Sequence, residues 1–345
     1  MTHSLPPTLR LICPACRQPV CRAAEDYQCT GCNRVFPVRL GIADFRLQSD
    51  RYLDLEQETA KAMRLHEAAR SRSFEQLLDH YYQITGDVPA ALALRYKAAV
   101  LNAPRHMAAL AGDMAASLAG RQCALALDAG CGSGGLLIAA HRAGANVVGV
   151  DIALRWLVIC RKRLDELGLD IPLVCADLAD PPFAPASFCA IAAVDLVEHA
   201  REVGPLLKSL AGLADPSATL WVTAANGRTL GPHPSTRLWA IGWLPARLRR
   251  VVVERLRGVD SLRFTHLLWP SALRDLAAGA GLVTTAARPR RLAAPDSRYP
   301  FTERVLISIY RALARWRLTS RLLLAIGPSF ELVLRPQAAP TLRRH

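Results

Sequence analysis

Apolar runs of four to six residues alternate with longer amphipathic stretches through most of the chain, separated by turn-forming residues. The runs at 124–127, 146–150, 172–175, 190–194 and 219–224 lack the alternation of a half-exposed strand. They predict parallel strands covered on both faces. Residues 136–142, 152–167 and 271–280 have helix-forming composition, and Gly281 supplies a stop after the last. Strand-like runs at 282–287 and 330–334 complete the pattern. Strands alternating with helices predict an α/β fold, doubly wound about a central sheet. Upstream, 53–72, 74–82, 90–101 and 104–118 predict helices, broken at Thr85, Gly86, Asp87, Val88 and Pro89. Two long stretches, 228–270 and 288–328, interrupt the later part. Within the second, 303–326 predicts one helix that mixes Val305, Leu306, Ile309, Leu313, Trp316 and Leu318 with Arg304, Arg311, Arg315, Arg317 and Arg321.

The densest chemistry follows the first of the buried runs. Asp128 ends it, and Gly130, Gly132, Gly134 and Gly135 crowd the turn before the helix. A strand, a glycine-rich turn and a helix N-terminus let a ligand approach bare backbone and N–H groups. Gly130-x-Gly132-x-x-Gly135 matches the dinucleotide fingerprint, which is weak by itself. Asp128 argues against a dinucleotide, because a carboxylate at the mouth of the turn repels a pyrophosphate. It attracts the ammonium and sulfonium of S-adenosylmethionine. Asp151 closes the next apolar run, where it can accept from two ribose hydroxyls.

LDAGCGSG followed by GVD resembles the class I S-adenosylmethionine-dependent methyltransferases, in their small-molecule branch. The resemblance implies a seven-stranded Rossmann-like sheet ending in an antiparallel pair, with helices before the first strand covering the cleft. It implies cofactor contacts at Asp128, Gly130, Gly132, Gly134, Asp151, Ile152, Asp177, Leu178 and Asp195, with Asp177 on the adenine amine and Leu178 beside the ring. Phe188-Cys189 stands where the family usually has Phe-Asp. Asp195-Leu-Val-Glu-His199 resembles the "E-H" that closes the fourth strand in quinone and biotin-pathway methyltransferases. His199 is therefore a candidate to position or deprotonate a substrate hydroxyl. His233, in a Gly-Pro-His-Pro turn, is the other catalytic candidate, and His266 a third. Tyr81, Tyr82 and Arg95 could touch cofactor or substrate from the helical segment.

The N-terminus carries different chemistry. Cys13-Pro-Ala-Cys16 and Cys29-Thr-Gly-Cys32 are two CxxC knuckles with 12 residues between them, a spacing that predicts a closed tetrahedral zinc site. So short a segment cannot hold itself by burial, so the metal supplies its folding energy. Cys21 falls outside the pattern. The segment resembles the zinc ribbon fused to many bacterial methyltransferases. Over 11–36 it also resembles the ribbon of the large-subunit rRNA guanine-N1 methyltransferases.

The 345 residues, 51% hydrophobic, suffice for one large α/β domain with a small appendage. The expected division is a zinc ribbon over 1–46, a helical cap or linker over 47–120, the methyltransferase domain over 121–336 with lid insertions at 228–270 and 288–328, and a tail over 337–345. No apolar run reaches the ~18 residues of a membrane span, and no secretory h-region is visible. With cysteines arranged for metal and core, a reducing, cytoplasmic setting is expected, with peripheral contact at an inner membrane surface left open. The net charge of +14 is carried almost wholly by arginine and favours anionic partners, unless it reflects genome composition alone.

Two functions remain open from the sequence. One is S-adenosylmethionine-dependent O- or N-methylation of a small, apolar or amphipathic, even lipid-like, acceptor. The alternative is rRNA base methylation with the ribbon gripping RNA. Against RNA, a base-amine-methylating motif such as Asn-Pro-Pro-Tyr is missing after the fourth strand, and the ribbon lacks aromatic residues among its basic ones. A non-enzymatic partner protein would not need the intact set Asp128, Gly130, Gly132, Asp151 and Asp177.

Overall fold

The computed structural model describes residues 5–6, 9–85, 88, 90–121, 125–258, 260–297 and 299–337. Most of the expected tail lies outside the described residues, as do Gly86, Asp87 and Pro89 of the expected helix break.

Strands β1 (Val20–Ala23), β2 (Asp26–Cys29) and β3 (Val35–Phe36) form a small antiparallel sheet around the cysteine knuckles. A hairpin of β4 (Val38–Arg39) and β5 (Ile42–Asp44) follows, then helices α1 (Leu55–Ala69), α2 (Phe74–Gln83) and α3 (Ala90–Leu118). The main α/β run is β6 (Leu125–Ala129), α4 (Gly135–Arg142), β7 (Asn146–Asp151), α5 (Leu154–Glu166), β8 (Leu173–Cys175), β9 (Phe188–Val194), α6 (Val203–Leu213) and β10 (Ala214–Ala225). It continues through α7 (Ala246–Arg257), α8 (Pro270–Gly279), β11 (Leu282–Pro289), α9 (Phe301–Leu313), α10 (Arg317–Ile326) and β12 (Ser329–Pro336).

The large sheet has the order β11-β12-β10-β9-β6-β7-β8-β5-β4. From β10 to β5 the neighbours are parallel, and β12 runs antiparallel to both β10 and β11. The seven strands β6 to β12 therefore make the expected Rossmann-like methyltransferase sheet. The N-terminal hairpin extends it, with Ala43 opposite Val174 and Asp44 opposite Cys175. The ribbon is thus welded to the sheet edge. Ile12 N donates to Pro182 O (3.0 Å), Ala184 N to Arg10 O (3.0 Å), and Phe45 packs against Tyr27 and Phe36.

Period-two alternation sends side chains of the buried strands to two cores. Leu125, Leu127, Val148, Val150 and Val174 join one with α6, α8 and the ribbon. Ala126, Val147, Leu173 and Cys175 join the other with α1 to α5.

Two local expectations are corrected. The helices expected over 90–101 and 104–118 are one, α3, with Pro104 inside. Proline removes the N–H that Val100 O would accept. Arg163 Nη2 donates to that carbonyl instead (3.1 Å), so the helix passes through the proline with its exposed acceptor satisfied. Conversely, the single helix expected over 303–326 is two. Trp316 is extended at the start of α10, and Thr319 bonds back to its carbonyl.

Candidate functional site

The carboxyl ends of β6, β7, β8 and β9 open onto a cavity of about 1230 Å³. Ligands of open parallel sheets bind where the strand order reverses, and the reversal here falls between β6 and β9.

Gly130 N and Cys131 N both donate to Val150 O (2.8 and 3.0 Å), which folds the turn over the end of β7. Asp151 is then fixed from behind, with Oδ2 accepting from Gly132 N (2.9 Å) and Oδ1 from Ala153 N (2.8 Å). Each oxygen has a further lone pair for a ligand. The glycines divide the work. A Cβ at Gly132 would meet nothing within 4 Å, so this residue lends bare backbone to the cavity wall. A Cβ at Gly134 would stand 2.6 Å from Cys160 Sγ, so glycine there serves the packing of α5 against the turn. Gly134 is not on the cavity wall, contrary to its expected cofactor contact.

Asp128 is also off the wall, at 2% exposure, and Oδ2 has no hydrogen-bond partner among the described residues. Burial first, then the charge of Asp151, pushes its pKa up to about 8. A buried carboxyl with one unpartnered oxygen at the root of a bare-backbone floor suits a cation above it. Bare glycine backbone at the turn and carboxylates at the ends of β6 and β7 fit S-adenosylmethionine.

Ile152, Asp177, Leu178, Asp195 and His199 all line the cavity. Asp177 accepts from Gln48 Nε2 (3.0 Å). Asp195 sits at φ 51° and takes both oxygens to Arg290 Nη1 (2.8 and 2.7 Å). His199 Nδ1 lies 3.1 Å from the Tyr52 hydroxyl, and burial lowers the imidazole pKa. Burial raises that of the Tyr52 phenol. Both shifts favour the neutral form, an uncharged imidazole and a protonated phenol.

His233 is not brought to this site. A bridge between Pro232 and Trp239 and the bond from His233 N to Leu238 O (3.0 Å) close its turn and draw the ring inward. There it is fully buried, off the cavity wall, with a pKa lowered to about 4 chiefly by burial. His266 is likewise off the wall, with Nε2 on Ala200 O (2.9 Å). Tyr81 lines the cavity beside Trp156, whereas Arg95 is spent on Glu303. Among the described residues of the two insertions, only those of 228–270 reach the wall, through Arg250, Glu254, Asp260, Ser261, Arg263 and Phe264.

Sequence reasoning missed the segment between ribbon and α1. Gln48, Asp50 and Tyr52 line the cavity, and buried Arg155 holds the segment by pairing with Asp50 (2.7 Å) and Glu58. The available signal was Asp54, which caps α1 with Gln57 in a capping box. It starts the helix at Leu55 and leaves Tyr52 in the preceding loop.

At the ribbon, the sulfurs of Cys13, Cys16, Cys29 and Cys32 lie within 4.8 Å of one another, with Cys16–Cys29 at 3.3 Å and Cys13–Cys32 at 3.8 Å. Four sulfurs about 2.3 Å from a tetrahedral zinc stand about 3.8 Å apart, so the cluster has the right size. The N–H groups of Gly31 and Cys32 point at Cys29 Sγ (3.3 and 3.4 Å), and the bond from Cys32 leads in lowering its pKa to about 6.

The geometry defines a cofactor-binding α/β domain of the open parallel type. Residues 126–217 match the family described as "Methyltransferase domain". A ubiquinone biosynthesis O-methyltransferase of Bordetella avium is 30% identical over 177 residues, 51% of this chain and 68% of that protein. Its namesake in Methylocella silvestris is 30% identical over 122 residues, 34% of this chain and 47% of that one. The chain thus spans two thirds of one such relative and about half of another. Among solved structures, geranyl diphosphate C-methyltransferase from Streptomyces coelicolor is 16% identical with a TM-score of 0.44, covering 66% of this chain and 75% of that one. The chain belongs to the class I S-adenosylmethionine-dependent methyltransferases, and S-adenosylmethionine is its methyl donor.

Proposed function

We propose that the protein methylates a hydroxyl of a small acceptor that has an apolar part, in the cavity between the glycine turn and the 260–264 loop. The observation that carries this is the His199–Tyr52 pair on the same cavity wall as Gly132 and Asp151. The donor supplies a methyl group already activated on a sulfonium. The protein has to align the acceptor and exclude water, which carries most of the catalysis. A hydroxyl acceptor also needs a base. His199 fills that role, with Nδ1–H donated to the Tyr52 oxygen and Nε2 left for the acceptor proton. Leu92, Leu196, Leu206 and Phe264 offer the acceptor its apolar wall. The name of the Bordetella relative supports a ring hydroxyl of the kind found in quinone building blocks.

In the cofactor half, Asp151 takes the ribose and Asp177 the adenine amine, with Leu178 and Ile152 against the ring. Gly130 and Gly132 provide the floor, Asp128 the field and Asp195 the rim. The ribbon holds one structural zinc at Cys13, Cys16, Cys29 and Cys32. Buried thiols at Cys131, Cys160 and Cys175, outside any disulfide, suit the reducing cytoplasm. RNA is disfavoured because the ribbon spends its inner face on the core, at Tyr27, Cys29 and Phe36.

The test is transfer of radiolabelled methyl from S-adenosylmethionine to alkylated hydroxybenzenes and, in parallel, to transcribed rRNA. Label on the phenols alone is expected; label on RNA alone overturns the proposal. Elemental analysis should give one zinc per chain, lost in Cys29→Ser.

A further inference from the structure

The segment over 301–326 absorbs none of the chemistry above. It lines no part of the cavity, and its outward side is apolar. On α9, Phe301, Val305, Ile309 and Leu313 recur every four residues, a single stripe, and all are exposed, Phe301 at 71%. Trp316 in the link is 73% exposed and Leu318 on α10 is 80% exposed. Helix α10 has no buried residue at all, so its contact with β11 leaves most of its surface open.

The exposed charges on this segment have one sign. Arg304, Arg311, Arg315, Arg317 and Arg321 lie on the segment, and Glu303 is its only acid. Glu303 is buried and occupied by Arg237 and Arg95. The same contacts tie on a second apolar element. Arg237 precedes exposed Trp239 (66%), and Leu230 N bonds to Ile326 O (3.0 Å) at the end of α10. Trp243, also exposed, anchors its ring to Arg228 O (3.1 Å). The loop that carries these tryptophans accepts a bond from Tyr96, which lines the cavity (Tyr96 Oη to Ser235 O, 2.8 Å).

We propose that the α9–α10 face, with Trp239 and Trp243, is a docking surface for an anionic lipid bilayer, where the cavity meets acceptors held in the membrane. Charge complementarity selects this occupant. A second copy seated face to face would oppose five arginines to five arginines with no exposed acid on the segment to answer them. A lipid surface accepts both features, since tryptophan and aliphatic tips enter the headgroup boundary while arginines remain among the phosphates. Among the described residues no helix is long and apolar enough to cross a membrane, so the contact lies in the surface plane. The idea deepens the small-acceptor proposal by naming where the acceptor is met.

Flotation of the full chain with phosphatidylcholine vesicles, with and without phosphatidylglycerol, tests it. Binding is expected on the anionic vesicles and weakens with salt, each arginine contributing about fivefold. Trp316→Ser with Leu318→Ser should lower the bound fraction by about tenfold or more, as should Arg315→Gln with Arg317→Gln and Arg321→Gln. Calorimetry with S-adenosylhomocysteine should give unchanged affinity in both variants, which shows them folded and separates this idea from the assignment of the cleft. Equal binding to neutral and anionic vesicles overturns the proposal. So does folded protein that binds neither, or a dimer without lipid that Trp316→Ser with Leu318→Ser dissolves.

Discussion

The two halves of the cavity are built by different means. The half beneath the glycine turn comes from consecutive units β6–α4 and β7–α5, and it lines the cavity with bare glycine backbone and with carboxylates at strand ends. The opposite half is assembled from the loop before α1, the end of β9 and the 260–264 loop, so its groups meet only after long-range packing. A local device tolerates change around it. On the proposed reading, a device assembled from three distant segments can change with the acceptor while the donor site stays the same.

The sharpest way to break this comparison is His199→Ala. It should lower kcat for methyl transfer by about 10²–10⁴-fold and leave S-adenosylhomocysteine affinity unchanged by calorimetry. Parallel losses of binding and rate would mean the halves are not separable. Asp151→Ala should do the reverse, weakening cofactor binding by about 10²-fold through two lost charge-assisted bonds.

The pH dependence separates the halves again. A cation bound over the turn favours ionised Asp128, whose pKa in the free protein is about 8. Below that value the ligand must drive a proton off, so affinity should rise with pH, at most about tenfold per unit, and level off above it. Asp128→Asn should flatten the rise. In the acceptor half, the lowered pKa of His199 places the acid limb of the rate profile below the ordinary 6.5. Tyr52→Phe keeps the ring against Phe264 but removes the hydroxyl. It should cost about fivefold in kcat, near 1 kcal/mol for one hydrogen bond, with KM for the donor unaltered.

The contrast explains what could be read from the chain alone. Seven sheet strands and the knuckles at Cys13, Cys16, Cys29 and Cys32 were visible because each is a local pattern: an apolar run of strand length, or two CxxC turns. Asp151 closes such a run, and Asp177 and Leu178 came from the family resemblance; all three line the cavity. His233 misled for the same reason. Its turn is local, but whether the ring faces the cavity or the interior depends on how Leu238 and Trp239 close over it.

The amino-acid pattern alone therefore determined the doubly wound sheet, the glycine turn at its switch point and the four-cysteine cluster, since period, glycine spacing and cysteine spacing act over a few residues. Only the tertiary structure decided that Gly134 packs while Gly132 lines the cavity, that Tyr52 meets His199 across 147 positions, and that the ribbon's hairpin becomes the edge of the sheet. Those outcomes depend on which surfaces remain to be buried once the sheet has formed, and that is a property of the whole packed chain.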